Sequence, residues 1–375
     1  MDPLTGELNI EVYNDYLQGF NYLQAVFNGS ITSNNTVLLF SFNGAQLYKN
    51  KQSNCWIVIW LLLDCHPETC YMKTKVFPAF FIPGSKNPEN SESYYYPTLH
   101  HISALQKEGF CIWDADLKCN FTSCPITLLF TADTVALMDL NGFVGHRGAC
   151  GCQAYCNMTG CQKPNDHKYY PVLFIPDNYD VHGCSHPDID VSHFLWPSVT
   201  TYTQDLAILL GATSITNYRE HHHNTEITRP SIISGLVPGC MLGIPGSFPL
   251  DLMHLAALVL SDLLLSLWHG TIACDANDDK TTWDWATLIG DAWEMHGKQV
   301  ATARQFLPGS FDCPPQNITE KLNSGYKAWE FLTYLYGLGP RLLYPLLHLP
   351  YWQNYCQLVS TIQSLHQKSL AINSL

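Results

Sequence analysis

The run Val37-Leu38-Leu39-Phe40-Ser41-Phe42-Asn43-Gly44 decides how this chain is read. An apolar stretch ends in an amide and a glycine, the pattern of a strand that delivers a polar group to its C-terminal end. Working outward, residues 56–63 and 72–82 are two further strand-like runs, and only short polar links join the three. Links that short suit antiparallel neighbours, so a meander is predicted, closed by Pro83-Gly84. A helix is expected over 98–113, from His100, Ile102, Leu105, Phe110 and Trp113. Residues 125–130 read as a fourth strand leading into Thr131-Ala132-Asp133, and 169–175 as a fifth. Residues 177–230 read as irregular, and from Asp251 the pattern is helical over 251–268, 282–304 and 326–348. The class is α/β (α+β), a mixed sheet interrupted by a mainly helical insertion. The expected division is a leader over 1–36, a core over 37–176, the insertion over 177–320, and returning core helices over 321–375.

Composition bounds the function classes. Hydrophobic residues make up 46% of the 375 and aromatics 13%, which excludes general disorder and permits a sizeable core. Charged residues are only 14%, with a net charge of −13, so any contact with nucleic acid must concentrate the 19 Lys and Arg on one face. There are 15 cysteines. Met1-Asp2-Pro3-Leu4-Thr5 lacks a basic and then apolar leader, so reduced thiols in an intracellular protein are expected rather than a disulfide framework. The sequons at Asn28, Asn34, Asn120, Asn157 and Asn317 then read as chance, and no membrane span is expected.

Asp133 and Glu330 are the carboxylates whose placement suits metal-assisted phosphoryl transfer. That chemistry needs carboxylates around two divalent ions, and strand ends plus a packed helix can supply them. Asp133 follows the fourth strand, and Glu330 sits in the amphipathic stretch 325–336. The alternative for Asp133 is a helix N-cap. Asp64 and Asp114 read as loop or capping residues, Asp64 being a carboxylate that could compensate for an amide at position 43.

Seven segments in order carry a family resemblance. They are Asn43-Gly44-Ala45-Gln46-Leu47-Tyr48, Asp133 through Gly145-His146, Gly151-Cys152-Gln153-Ala154-Tyr155-Cys156, Tyr169-Tyr170-Pro171, Asp251-Leu252-Met253-His254, Pro308-Gly309-Ser310-Phe311-Asp312 and Ser324-Gly325-Tyr326-Lys327-Ala328-Trp329-Glu330-Phe331. Across roughly residues 35–370 the chain resembles the CACTA (En/Spm-type) transposases, in the lineage widespread in fungal genomes. The resemblance implies an RNase-H-like core with a helical insertion, Mg²⁺ or Mn²⁺ as cofactor, and cut-and-paste excision at terminal inverted repeats. It also implies DNA as partner, a nuclear location and a candidate homo-oligomer. The acidic positions fall at 43, 133 and 330, yet position 43 is Asn where the family carries Asp-Gly. A neutral amide is a poor ligand for a hard cation, so the activity is expected to be impaired. A non-catalytic DNA- or protein-binding remnant is the alternative, and the chain reads as a fragment or decayed copy.

A second candidate site is the cysteine loop. Cys152 and Cys156, near Cys150, Cys161, His146 and His167, could join His254 in a structural Zn²⁺ site, with buried free thiols as the alternative. Asp251 and His254 read equally as a helix cap and its neighbour. His221-His222-His223 reads as a solvated loop, and Trp283, Trp285 and Trp293 as insertion core or a base-stacking platform. Lys163, Lys168, Lys321, Lys327 and Arg341 are scattered bases without a run.

Overall fold

A computed structural model describes residues 10–46, 54–84, 90–145, 148–156, 158–162, 169–170, 173–174, 188–193, 198–274, 278–311, 313–322 and 325–374. The chain divides into two compact units, Asp15–Leu250 and Met1–Asn14 with Asp251–Leu375. The fold class is α+β with a mixed sheet.

The unit Asp15–Leu250 is organised by the opening strand. β1 (Val37–Gln46), β2 (Asn54–Leu62) and β3 (Val76–Gly84) form the antiparallel meander. A hairpin of β4 (Phe110–Asp114) and β5 (Cys119–Ser123) precedes β6 (Ile126–Ala132), which pairs parallel to β1. The strand order is β3-β2-β1-β6. The crossover that makes β6 parallel contains a helix, as such connections require.

Side-chain alternation along β1 builds two cores, one on each face. Phe40 and Phe42 are fully buried with Trp56, Trp60 and Phe130, beneath Tyr95, Leu99 and Ile102 of α2 (Glu92–Glu108) and Leu137 and Leu140 of α3 (Thr134–Asn141). Val37 and Leu39 face the other way with Leu61, Ile126 and Leu128, and Tyr22 and Ala25 of α1 (Phe20–Phe27) pack there. Aromatic rings lock the first face: Phe42 stacks on Trp56 at 4.8 Å and meets Tyr95 edge-on at 5.1 Å. The edge strand β3 contains Pro78 and Pro83, residues that sheets admit at edges. At the opposite edge the Phe130 N–H of β6 donates to the Ser247 carbonyl at 2.8 Å.

Several expectations need correction. The helix expected over 98–113 is α2, which ends at Glu108. Gly109 has φ +72°, and a Cβ there would meet Thr122 at 2.4 Å, so the chain turns into β4 instead. Residues 177–230 are not irregular throughout. They contain α4 (Val199–Leu210) and α5 (Ile215–Thr225), capped by Ser198 and Ser214. His221-His222-His223 therefore lies within α5, with His222 and His223 in its last turn, not in a loop. Of the expected fifth strand only Tyr169–Tyr170 is extended, paired with Cys161–Gln162; 171–172 and 175 lie outside the described residues. The boundary between the two compact units falls at Asp251, and residues 15–36 lie in the unit that holds the sheet.

The other unit is helical, around α6 (Leu260–Trp268), α7 (Gly290–Thr302) and α8 (Leu349–Leu365). Its core gathers Ala256, Leu265, Trp268, Trp293, Tyr334, Leu335 and Tyr355. A short strand Val12–Tyr13 pairs with Leu370–Ala371. Two segments, His254–Val259 and Leu332–Leu338, are π-wound. Widening a turn frees carbonyls, and tyrosines take them up. Tyr336 donates to the Ala256 carbonyl at 2.8 Å, and Tyr355 donates to the Leu335 carbonyl. Trp283 and Trp285 lie before α7 and stack at 5.6 Å, while Trp293 is buried within it. Among the described residues no helix is long and apolar enough to cross a membrane.

Candidate functional site

Positions 43 and 133 come together through strand register. β1 and β6 pair in parallel up to Phe42↔Ala132, so Asn43 and Asp133 are the next residues on neighbouring strands. Adjacent strands lie about 4.8 Å apart, so the two backbones are neighbours at this level of the sheet. Asn43 is exposed and still pairs with Ile57 of β2. Gly44 follows because the Trp56 ring lies over it, and a Cβ there would meet that ring at 3.2 Å.

Asp133 is half-buried and caps α3. Its Oδ1 accepts the Ala136 N–H at 2.8 Å, one of the donors a helix start leaves unpaired. Asp133→Ala should therefore cost about 1 kcal/mol, read as a lowered urea midpoint at unchanged slope. An Asp133→Asn variant that keeps the cap should recover most of it.

Asp64 is excluded as a compensating carboxylate for position 43. Its Oδ2 accepts the Val37 N–H at 2.9 Å, at the opposite end of β1. Six residues of strand separate Val37 from Asn43, about 20 Å. Burial raises the Asp64 pKa, partly offset by the backbone N–H groups of Val37 and Asp64.

Glu330 belongs to the other unit, where its carboxylate is engaged locally. It is 3% exposed at the start of the short helix Ala328–Phe331. Oε2 accepts the Lys327 N–H at 2.9 Å, and Oε1 accepts the Gln316 backbone N–H at 3.2 Å and its side-chain amide at 3.1 Å. This carboxylate ties two segments of its own unit together.

The strand ends do not fit a two-ion centre. Position 43 offers a neutral carbonyl, and Asp133 has one oxygen committed to its cap, whereas two divalent ions need several charged oxygens. No metal-assisted step is assigned to these residues.

The cysteine loop is built by its intervening residues. Gln153 donates to the Val144 carbonyl at 3.1 Å and accepts from the Asn141 amide at 3.0 Å. Tyr155, at φ +60°, stacks on Phe143 and donates to Asp205 Oδ2 at 2.7 Å and to the Thr225 carbonyl at 3.1 Å. So anchored, the loop turns Cys152 and Cys156 toward each other. The neighbouring Cys156 thiol, and after it the backbone of the loop, lowers the Cys152 pKa, and the same pairing raises that of Cys156. The Tyr155 N–H donates to the Cys152 carbonyl at 2.9 Å.

A thiolate suits Zn²⁺, but two thiols are half of a tetrahedral set. His254 lies in the other unit, its Nδ1 against the Asp251 carboxylate and its N–H donating to Asp251 Oδ1 at 2.9 Å. Asp251 thus performs the capping role. His146 and His167 lie outside the described residues. Sequence reading missed the anchoring roles of Gln153 and Tyr155, although both sit between the cysteines.

The chain matches no protein-family model and no curated protein.

Proposed function

We propose that this chain is an RNase-H-like DNA transposase core of the CACTA type whose catalytic centre is impaired at Asn43. The observation that carries the reading is the register of β1 and β6. A meander with a parallel fourth strand beside the first supports it, since Asn43 within β1 and Asp133 just after β6 are the residues that follow the last paired position, Phe42↔Ala132. Transposon-end DNA is the proposed partner, Mg²⁺ or Mn²⁺ the cofactor of an intact relative, and the nucleus the location.

The test restores the missing charge. Asn43→Asp should strengthen Mg²⁺ or Mn²⁺ binding by calorimetry on the order of tenfold, about 1.4 kcal/mol, because a second carboxylate joins Asp133. Adding Asp133→Asn to that variant should remove the gain. A folded Asn43→Asp protein with unchanged metal affinity would end this assignment of the site.

A second reading, a non-catalytic remnant that binds DNA, is favoured by the amide at 43 and by the local engagement of Glu330. It expects DNA affinity that falls steeply with salt, as phosphate contacts do, with no cleavage by Asn43→Asp. Salt-independent or absent DNA binding would remove it.

A further inference from the structure

Arg219, His222, His223 and Glu226 share one face at the end of α5 and line a cavity of about 460 Å³, together with Gly148 and Tyr169. Spacings of three, four and seven residues place them in a row along the helix. That volume is in the range of sites for small polar ligands. The wall sets one guanidinium and two imidazoles beside one carboxylate.

The acidic end of the row is buried. Glu226 is 5% exposed and held at φ +56°, and burial raises its pKa, opposed by the Cys150 backbone and by the His223 and His222 imidazoles beside it. Three carbonyls near the helix end have partners. The Glu226 N–H donates to the His222 carbonyl at 2.9 Å, Thr225 Oγ1 to the His221 carbonyl at 2.8 Å, and Tyr155 to the Thr225 carbonyl at 3.1 Å.

The cationic end is not satisfied. Arg219 lies about 10 Å up the helix axis from Glu226. Among the described residues no carboxylate lies within ion-pair distance of it. The His222 Nδ1 is buried with no hydrogen-bond partner. An uncompensated guanidinium at a concave wall, with imidazoles beside it, is a receptor for an oxyanion that can take a forked pair of N–H donors.

We propose that this cavity binds a phosphate group, with Arg219 as the forked donor and His222 and His223 as the supporting donors. The site is separate from positions 43 and 133 and does not depend on the transposase reading. A free phosphate or phosphomonoester and the phosphodiester of a nucleic-acid strand offer the same oxygens, so the test has two arms.

The full chain is titrated calorimetrically with inorganic phosphate and, separately, with a short single-stranded DNA oligonucleotide. Arg219→Gln is the test variant, and Arg304→Gln, at an exposed arginine in the other unit, is the control. The expected result is saturable binding in at least one arm, weakened about tenfold or more by Arg219→Gln and unchanged by Arg304→Gln. Binding in the phosphate arm assigns a free phosphate, and binding in the oligonucleotide arm alone assigns a strand. Arg219 is exposed, so the variant should fold, and its circular dichroism is compared with the parent. His222→Ala provides an independent loss at the same wall. No binding in either arm, or wild-type affinity in Arg219→Gln, overturns the proposal.

Discussion

Phe40→Ala is expected to lower the unfolding free energy by about 3–5 kcal/mol, the range for emptying an aromatic site in a packed core. Phe40 has no exposed surface and sits where β1 meets everything that covers it. Its ring lies 4.9 Å from Trp60 and 5.5 Å from Phe130 on the flanking strands, and 6.4 Å from Tyr95 on α2. These neighbours come from three elements, so collapse around the void would disturb both ladders of β1 at once. Burial alone accounts for about 1.5–3 kcal/mol, and the residual cavity supplies the rest. Urea unfolding followed by circular dichroism measures it, with Phe77→Ala as the comparison because Phe77 on β3 is 53% exposed. A loss below about 1 kcal/mol at Phe40, or equal losses at both positions, would mean the sheet core is not assembled as described.

The second large effect is a pH dependence set by His296. This side chain of α7 has no exposed surface, its Nε2 shares a 2.6 Å hydrogen bond with the Tyr334 hydroxyl, and its Nδ1 has no partner. Burial pushes its pKa down from 6.5 to about 4. A depressed histidine leaves stability intact above the unfolded value. Between pH 6.5 and 4 the unfolded chain takes a proton at His296 that the folded chain refuses, so stability falls as pH falls. Over that window the loss is about 3 kcal/mol, and it levels off below pH 4. Carboxylates titrate in the same range, so the measurement is the difference between the parent and His296→Leu. The parent should lose about 3 kcal/mol more than the variant from pH 7 to pH 4. Parallel profiles would show that His296 is protonated in the folded protein.

Much of the sheet was legible in the sequence, and for one reason. In β1 every residue from Val37 to Phe42 is apolar or small, and the link to β2 is too short for anything but an antiparallel neighbour. The hairpin β4-β5 was not legible because Phe110 and Trp113 continue the spacing of α2. Gly109 was the sign of a break, since only the left-handed backbone there avoids Thr122. Helix α5 lacks an apolar period: Ile215–Thr225 is almost wholly polar, and its only local signal is the Ser214 cap. Three histidines in that helix read as a solvated loop for the same reason.

At the candidate site, Asn43 and Asp133 could be paired from their places at strand ends. The local bonding of Glu330 could not, because the partner Gln316 lies fourteen residues away in sequence across a turn. The cavity wall on α5 was hidden until the helix itself was known, since the row of side chains exists only at helical spacing.

The borders of the sheet constrain how copies of this protein can associate. On the β3 side an incoming strand would meet pyrrolidine rings at Pro78 and Pro83, where amide donors for continued pairing are missing. On the β6 side the Phe130 amide is already committed to Ser247. Both borders of this sheet are therefore poor templates for strand-by-strand growth from molecule to molecule.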